Sequence, residues 1–593
     1  MCGLNGITFS DRDLISEMQK FTKNRGPDAS GIYSDENITL SHDRLSIQDL
    51  SQEANQPMIY ENFVISYKGE IYNYSELKEE LQHIGYKFKT TSDTEVILYL
   101  FHKYNIEAFK KLSGIFAISI WDKNSKKLFL IRDTIGVKPL YYFKDQKNDH
   151  LYFSSSIKSL LLSSDKILNV EALNYFSNMS RNDSEETIFK NIFKLLPGYL
   201  LIYSNKTIEL KNFLRLNFNK KKIPNKKIKD KIENIIKSQF ISDVPLALSL
   251  SGGVDSNIVY SVLRKKLNKK FNIYSFRFPD YEKFNQDFNV AKDNAEFYKD
   301  NFIPIEINHN DFIDNAEKVT EILEEPIGNQ CSILNYVMSK KIKEKVLLTG
   351  DGGDETFTGY DQYKSILMLT MFQKFNVFKF LNIKTGIRNI DRLFFKDAKD
   401  YYLSFSEQNM FKEPEKYFSN FKKLQKENLF LNHANNIELK SIVNNVGLLD
   451  IDTRVANDYL LRNDKIFAQA GIEVRVPLLD TAIIENFLQM SEYKKFNYML
   501  KSKGLLKKIF EKDIHSLVKR KWGMQSPYAK WMKGPLQNFL KEILSPGYYK
   551  ESNKYFNFVE ISKLITKHKE EYYNPHLLWS LVMLQIFLRK FKL

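Results

Sequence analysis

Near residue 225 the chain changes its pattern, and that change limits the fold more than any other feature. Before it, short apolar and aromatic runs such as NFVISY (62–67), IFAISIWD (115–122), KLFLIRD (127–133) and LYFSSS (151–156) are separated by turns. Aromatic and β-branched residues fit a pleated, half-buried surface, so these runs predict strands. Segments 75–84 and 94–104 have the spacing of helices. Beyond residue 225, the strand-like runs PLALSL (245–250), FNIYSF (271–276) and KVLLTG (345–350) alternate with long amphipathic helical stretches. That alternation predicts a parallel α/β sheet. The last part of the chain reads as mostly helical. With 593 residues, two or more cores are expected.

The sharpest motif is Ser251-Gly252-Gly253-Val254-Asp255-Ser256, which follows one of these strands and precedes a predicted helix at 257–265. Two glycines let backbone amides close on an anion, and a helix N-terminus adds positive potential. The Ser251 and Ser256 hydroxyls are further donors, and Asp255 can hold Mg²⁺ against phosphates. The pattern is neither GxxxxGK[ST] nor GxGxxG, so kinase-type and dinucleotide loops are excluded. A second loop, Thr349-Gly350-Asp351-Gly352-Gly353-Asp354-Glu355, also follows a strand, at the sheet end where such folds bind ligands. Its three carboxylates among glycines suit Mg²⁺ held together with phosphates.

SGGxDS resembles the pyrophosphate (PP) loop of ATP pyrophosphatases. Joined to the N-terminus, these segments make the chain similar, over nearly its whole length, to the glutamine-hydrolysing asparagine synthetase family. Met1-Cys2-Gly3, Arg25-Gly26-Pro27-Asp28, Arg44-Leu45-Ser46-Ile47 and Gly69-Glu70-Ile71-Tyr72-Asn73 match the family's first half. So do Ser92-Asp93-Thr94-Glu95, Arg132-Asp133 and Gly136-Val137-Lys138-Pro139-Leu140-Tyr141-Tyr142. Glu473-Val474-Arg475-Val476-Pro477-Leu478-Leu479-Asp480 and Lys521, within KRKWGMQSP, match the second.

The resemblance implies an α+β N-terminal-nucleophile (Ntn) glutaminase, an αββα sandwich at 2–215, and a linker at 216–228. An α/β PP-loop synthetase domain with a helical C-terminal part follows at 229–593. It implies catalytic Cys2, Asp351 and Lys521, and glutamine bound by Arg44, Ile47, Lys68, Gly69, Glu70 and Asp93. ATP would meet Leu250, Ser251, Gly252, Gly253, Asp255, Ser256, Phe278, Thr349 and Gly350, with Mg²⁺ on Asp255 and Asp354. Once Met1 is removed, the α-amine would serve the Cys2 thiol as general base. The ammonia released would cross an internal tunnel and amidate an acyl-adenylate, aspartate being the expected acceptor.

Two departures accompany the match. Where the family has Asn before GEIYN, whose amide helps form the oxyanion hole, this chain has Lys68. Losing one such donor costs about 2.7–4 kcal/mol in other enzymes, so a slow or differently tuned glutaminase is expected. Around the acceptor the chain reads Gly328-Asn329-Gln330-Cys331-Ser332 and Arg462-Asn463-Asp464-Lys465-Ile466-Phe467-Ala468 in place of the usual stretches. Another carboxylate, such as a sugar acid or a surface or secondary-metabolite precursor, is the alternative acceptor. A non-catalytic relative would have lost Cys2, Asp255 or Asp354, and all three are present.

Composition adds exclusions. The two cysteines, Cys2 and Cys331, leave no disulfide framework, which fits a cytoplasmic setting. Cys331 has no evident base beside it and reads as a packed side chain. No uncharged apolar run reaches the length of a membrane span, and MCGLNGITFSDRDL does not read as a signal peptide. The net charge of +16 lies in a Lys- and Asn-rich surface without an aromatic-studded basic motif, so neither a nucleic-acid nor a membrane partner is expected. The basic run 220–229 reads as linker. A homodimer is compatible with all of this.

Overall fold

The computed structural model describes residues 2–593 except 219–223, 225–226, 268, 375–398, 400–412, 420, 425–438, 497–501 and 519–525. The first part holds two six-stranded antiparallel sheets. One runs in the order Phe193–Lys194, Tyr141–Lys144, Leu151–Ser154, Gly3–Ile7, Thr39–Arg44, Ala29–Ser34. The other runs Thr207–Asn212, Tyr199–Ser204, Lys127–Arg132, Gly114–Asp122, Phe63–Ile71, Met58–Tyr60.

Successive side chains of a strand face opposite ways, and the buried residues sort accordingly. Leu4, Leu40 and Phe153 of the first sheet meet Val64, Ala117 and Leu130 of the second in one shared core. The other face of the second sheet, with Ile65, Tyr67 and Ile118, packs on helices Tyr74–His83 and Asp93–Tyr104. The other face of the first, with Ile7 and Tyr152, packs on helices Arg12–Lys20 and Ile157–Leu160. The result is four layers, helix–sheet–sheet–helix.

The second part is a five-stranded parallel sheet ordered Asn301–Glu306, Asn272–Arg277, Leu246–Ser249, Val346–Leu348, Glu473–Arg475. Order reverses at the central strand, so the loops after Leu246–Ser249 and Val346–Leu348 lie side by side at a switch point. The helix after SGG runs Val254–Leu267, three residues ahead of the predicted start, because Asp255 and Ser256 form its first turn. The C-terminal part is helical, ending in Pro575–Phe591, which is buried nearly all round. Most of the basic run 220–229 falls outside the described residues.

Candidate functional site

Cys2 stands at the head of the central strand of the first sheet. Its Sγ accepts a hydrogen bond from the Leu45 amide at 3.4 Å. Burial pushes the thiol pKa up, while the chain's terminal ammonium, the Leu45 backbone and Arg44 pull it down. Cys2 opens on a cavity shared with Arg44, Ile47, Gly69, Glu70 and Asp93, five of the six residues expected to hold glutamine. Asp93 is the first residue of its helix. Its Oδ2 accepts from Tyr67 Oη at 2.8 Å and from the Ile71 amide at 3.0 Å. Burial lifts its pKa to about 6 against these two donors. The Arg44 guanidinium is engaged by the loop beside it, donating to Ser51 O at 2.7 Å, Asn55 Oδ1 at 2.9 Å and Asp49 O.

Lys68 is the exception. It does not line this cavity. Along its strand it falls with Val64, Ser66 and Glu70 on the face turned to the other sheet, while Tyr67 takes the opposite face. Its side chain is 1% exposed, and Nζ has no hydrogen-bond partner among the described residues. Burial drives its pKa far down; Asp464 opposes this, and Arg25, Lys138 and Lys465 reinforce it. The amine therefore faces the junction with the second domain.

That junction is ionic. Arg25 donates through Nε to Cys2 O at 3.3 Å and through Nη2 to Asp464 Oδ2 at 2.5 Å. Lys465 pairs within the second domain with Glu324, whose Oε2 accepts from the Ile157 amide of the first at 2.7 Å. Arg475, fully buried, donates to Glu70 Oε2 at 2.7 Å and Glu473 Oε1 at 2.9 Å. Glu473, the first residue of the matched segment 473–480, closes one side of the Cys2 cavity, a contribution of the second domain that the motif was not read for.

In the second domain the two predicted loops touch. A Cβ on Gly350 would lie 2.5 Å from Ser256 N, and one on Gly353 2.5 Å from Asp255 Oδ1. Only glycine permits that approach. The SGG turn is held from within: Ser251 Oγ lies 3.1 Å from Ser256 Oγ, and Asn257 Nδ2 donates to Ser251 O at 2.8 Å and Gly253 O at 2.7 Å. Leu250 and Phe278 are buried alongside, with the Leu250 amide donating to Tyr274 O and the Phe278 amide fixed by Asn285. Thr349 N donates to Arg475 O at 3.1 Å, so one arginine ties the acidic loop to the Cys2 cavity.

The carboxylates divide. Asp255 and Asp354 both contact the Lys503 ammonium, a buried cation at their meeting point. Glu355, one of the three carboxylates of the acidic loop, turns the other way to Tyr360 Oη at 2.9 Å and Arg454 at 3.3 Å. Asp351 stands apart, its Oδ2 bonded by Thr349 Oγ1 and Asn463 Nδ2. Lys521 lies outside the described residues; Val518 N, shortly before it, donates to Gly252 O at 3.0 Å. Cys331 is buried and its thiol pushed up to about 11, first by burial, consistent with a packed side chain. A larger cleft, of about 1400 Å³, lies elsewhere between Lys110, Arg215, Asn444 and Glu485, and takes in none of the predicted residues.

Against this geometry, a glutamine amidotransferase domain model matches residues 1–214 and an asparagine synthase model matches 227–589. The chain belongs to the asparagine synthase family. Asparagine synthetase [glutamine-hydrolyzing] 1 of Bacillus subtilis (strain 168) is 28% identical over 99% of this chain and 96% of its own. Putative asparagine synthetase [glutamine-hydrolyzing] 2 of Methanocaldococcus jannaschii is 32% identical over 61% of this chain and 76% of its own. Asparagine synthetase B [glutamine-hydrolyzing] of Escherichia coli (strain K12) is 29% identical over 61% and 65%. As a member of the asparagine synthase family, the chain carries an amidotransferase cavity and a two-loop site joined through Arg475. Sequence reading missed Lys503 and the roles of Asn463 and Glu473, because each acts across the fold from a segment with no motif of its own or a motif read for another purpose.

Proposed function

We propose that this protein converts aspartate to asparagine with ATP, taking nitrogen from glutamine. The observation that carries the reading is the pairing of the Cys2 cavity with the two-loop site, linked by Arg475 from Glu70 to Thr349. The first domain is read as an Ntn glutaminase. With Met1 removed, the Cys2 α-amine would take the thiol proton and Sγ would attack the glutamine side-chain amide; the tetrahedral adduct would expel ammonia, which takes that proton back, and leave a thioester that water then opens to glutamate. Asp93 would face the substrate ammonium. Arg44 would take its carboxylate on leaving the carbonyls of loop 48–51. The Gly69 amide supplies the oxyanion donor.

The second domain is read as a PP-loop synthetase. The aspartate side-chain carboxylate would attack the α-phosphorus of ATP, pyrophosphate leaving from the SGGVDS turn. Asp255 and Asp354 converge on one positive charge, that of Lys503, and a pair of carboxylates is what Mg²⁺ takes from a protein when substrate phosphates supply the rest of its oxygens. Mg²⁺ bound there would neutralise charge on the leaving pyrophosphate. Lys521 would add positive charge at the reacting phosphorus. Asp351 would accept the proton lost when ammonia attacks the acyl-adenylate.

Pyrophosphate release with ATP and Mg²⁺, with and without aspartate and with glutamine or ammonium as donor, tests this. Aspartate-dependent release with asparagine formed is expected. Cys2→Ala should abolish the glutamine-driven rate and keep the ammonium-driven one. Release that ignores aspartate with both donors would refute asparagine synthesis and turn the search to other carboxylates.

A further inference from the structure

The half-buried carboxylate of Asp351 is held in an uneven way. Both of its donors, Thr349 Oγ1 at 2.9 Å and Asn463 Nδ2 at 2.7 Å, reach the same oxygen, Oδ2. Among the described residues none bonds Oδ1. A side-chain amide can present either its NH₂ or its oxygen, and a carboxylate accepts only the first. Asn335 fixes the choice, its Nδ2 donating to Asn463 Oδ1 at 2.8 Å. Both asparagines are buried, on the packed helices Cys331–Ser339 and Leu460–Ala468. The chain Asn335–Asn463–Asp351 is therefore a buried polar relay between these two helices. An asparagine pair in such a place costs desolvation unless each amide is used.

We propose that Asn463, oriented by Asn335, is the positioning residue of the ammonia step: it anchors Asp351 by Oδ2 so that Oδ1 is free to take a proton. This rests on the reading of Asp351 as proton acceptor. The ammonia lone pair forms the C–N bond, and the acyl C–O bond to phosphate breaks with AMP leaving. The N–H proton passes to Oδ1 and then to solvent. The two donors on Oδ2 hold the carboxylate in one orientation and stop its rotation.

The test uses the full chain with ammonium chloride as nitrogen donor, so that Cys2 plays no part. Asparagine formation is compared with aspartate-dependent ATP–pyrophosphate exchange, which reports the adenylation step alone. Asn463→Ala should lower the ratio of the two about 10- to 100-fold, the size of one hydrogen bond to a charged group. Asn335→Asp never touches Asp351. It can only accept, so it should turn the Asn463 oxygen towards Asp351 and lower the ratio as well. Asn335→Leu with Asn463→Ala should do no more than Asn463→Ala, because the two act as one unit. An unchanged ratio in Asn463→Ala, or a parallel fall of both rates, overturns the inference. Asp351→Asn is run beside them. If it keeps asparagine formation, the acceptor reading of Asp351 fails. If it loses it while Asn463→Ala keeps it, the positioning role alone fails.

Discussion

Lys68 and Lys503 are both buried lysines, and their surroundings give them opposite roles. Lys68 has no hydrogen-bond partner among the described residues and three cations in its electrostatic neighbourhood, so burial favours its uncharged amine. The unfolded chain then binds a proton that the folded chain does not, and stability rises with pH up to the ordinary lysine value of 10.5. Lys68→Met should raise Tm at pH 7, with the gain shrinking as pH approaches that value. Because Lys68 lies outside the Cys2 cavity, Lys68→Ala should change glutamine hydrolysis far less than the roughly hundredfold loss that follows removal of an oxyanion donor. Glutamate release assays decide this. Lys503 instead sits between Asp255 and Asp354. Lys503→Met leaves two carboxylates facing each other, a loss of about 3–5 kcal/mol for a buried pair broken on one side. Calorimetry should show the lower Tm, and added Mg²⁺ should recover part of it. The substitution of Lys for Asn at position 68 could be read from the sequence. Its consequence could not, because strand alternation and the facing domain decide where the amine goes.

At the scale of elements, the helix Leu460–Ala468 does the most. All nine of its residues are buried. It continues from helix Ile442–Asp450 through a π-type stretch, Ile451–Tyr459, a geometry often found at functional sites. It reaches both domains at once: Asp464 to Arg25, Lys465 to Glu324, Asn463 to Asp351. The short helix Gly353–Phe357, which carries Asp354, rests on Lys495, whose Nζ donates to Thr356 O at 3.2 Å and Asn444 Oδ1 at 2.7 Å. Burial lowers the Lys495 pKa to about 7. The folded state therefore gives up this proton before the unfolded one, and stability climbs between about pH 7 and 10.5. Lys495→Gln should flatten that part of the curve of denaturation midpoint against pH. Helices such as Tyr74–His83 and Asp93–Tyr104 were legible because their apolar spacing is local. The role of Leu460–Ala468 was not, since its polar residues Arg462 to Lys465 are consecutive and buried, and the packing around the helix decides which partner each one meets.

For the whole molecule, the domains are joined by buried ion pairs rather than by apolar contact alone, and those pairs start at the functional residues. Arg25 holds the Cys2 carbonyl and Asp464 together; Arg475 holds Glu70, Glu473 and, through its carbonyl, Thr349. Asp464→Asn should weaken the link between the two reactions: glutamate should accumulate in excess of asparagine with glutamine as donor, while the ammonium-driven rate changes about twofold or less. The measurement is the glutamate-to-asparagine ratio. The sequence by itself determined the two-part architecture, the strand and helix types, and most of the candidate residues, because periodicity, glycine spacing and short motifs are local and survive in one dimension. Only the tertiary structure decided that Glu355 turns to Tyr360 and Arg454, that Lys503 joins the Asp255–Asp354 pair, that Lys68 stays out of the Cys2 cavity, and that Asn463 reaches Asp351. Each of those contacts joins residues about 100 to 400 positions apart or depends on which face of a buried strand or helix meets its neighbour, and packing alone fixes that.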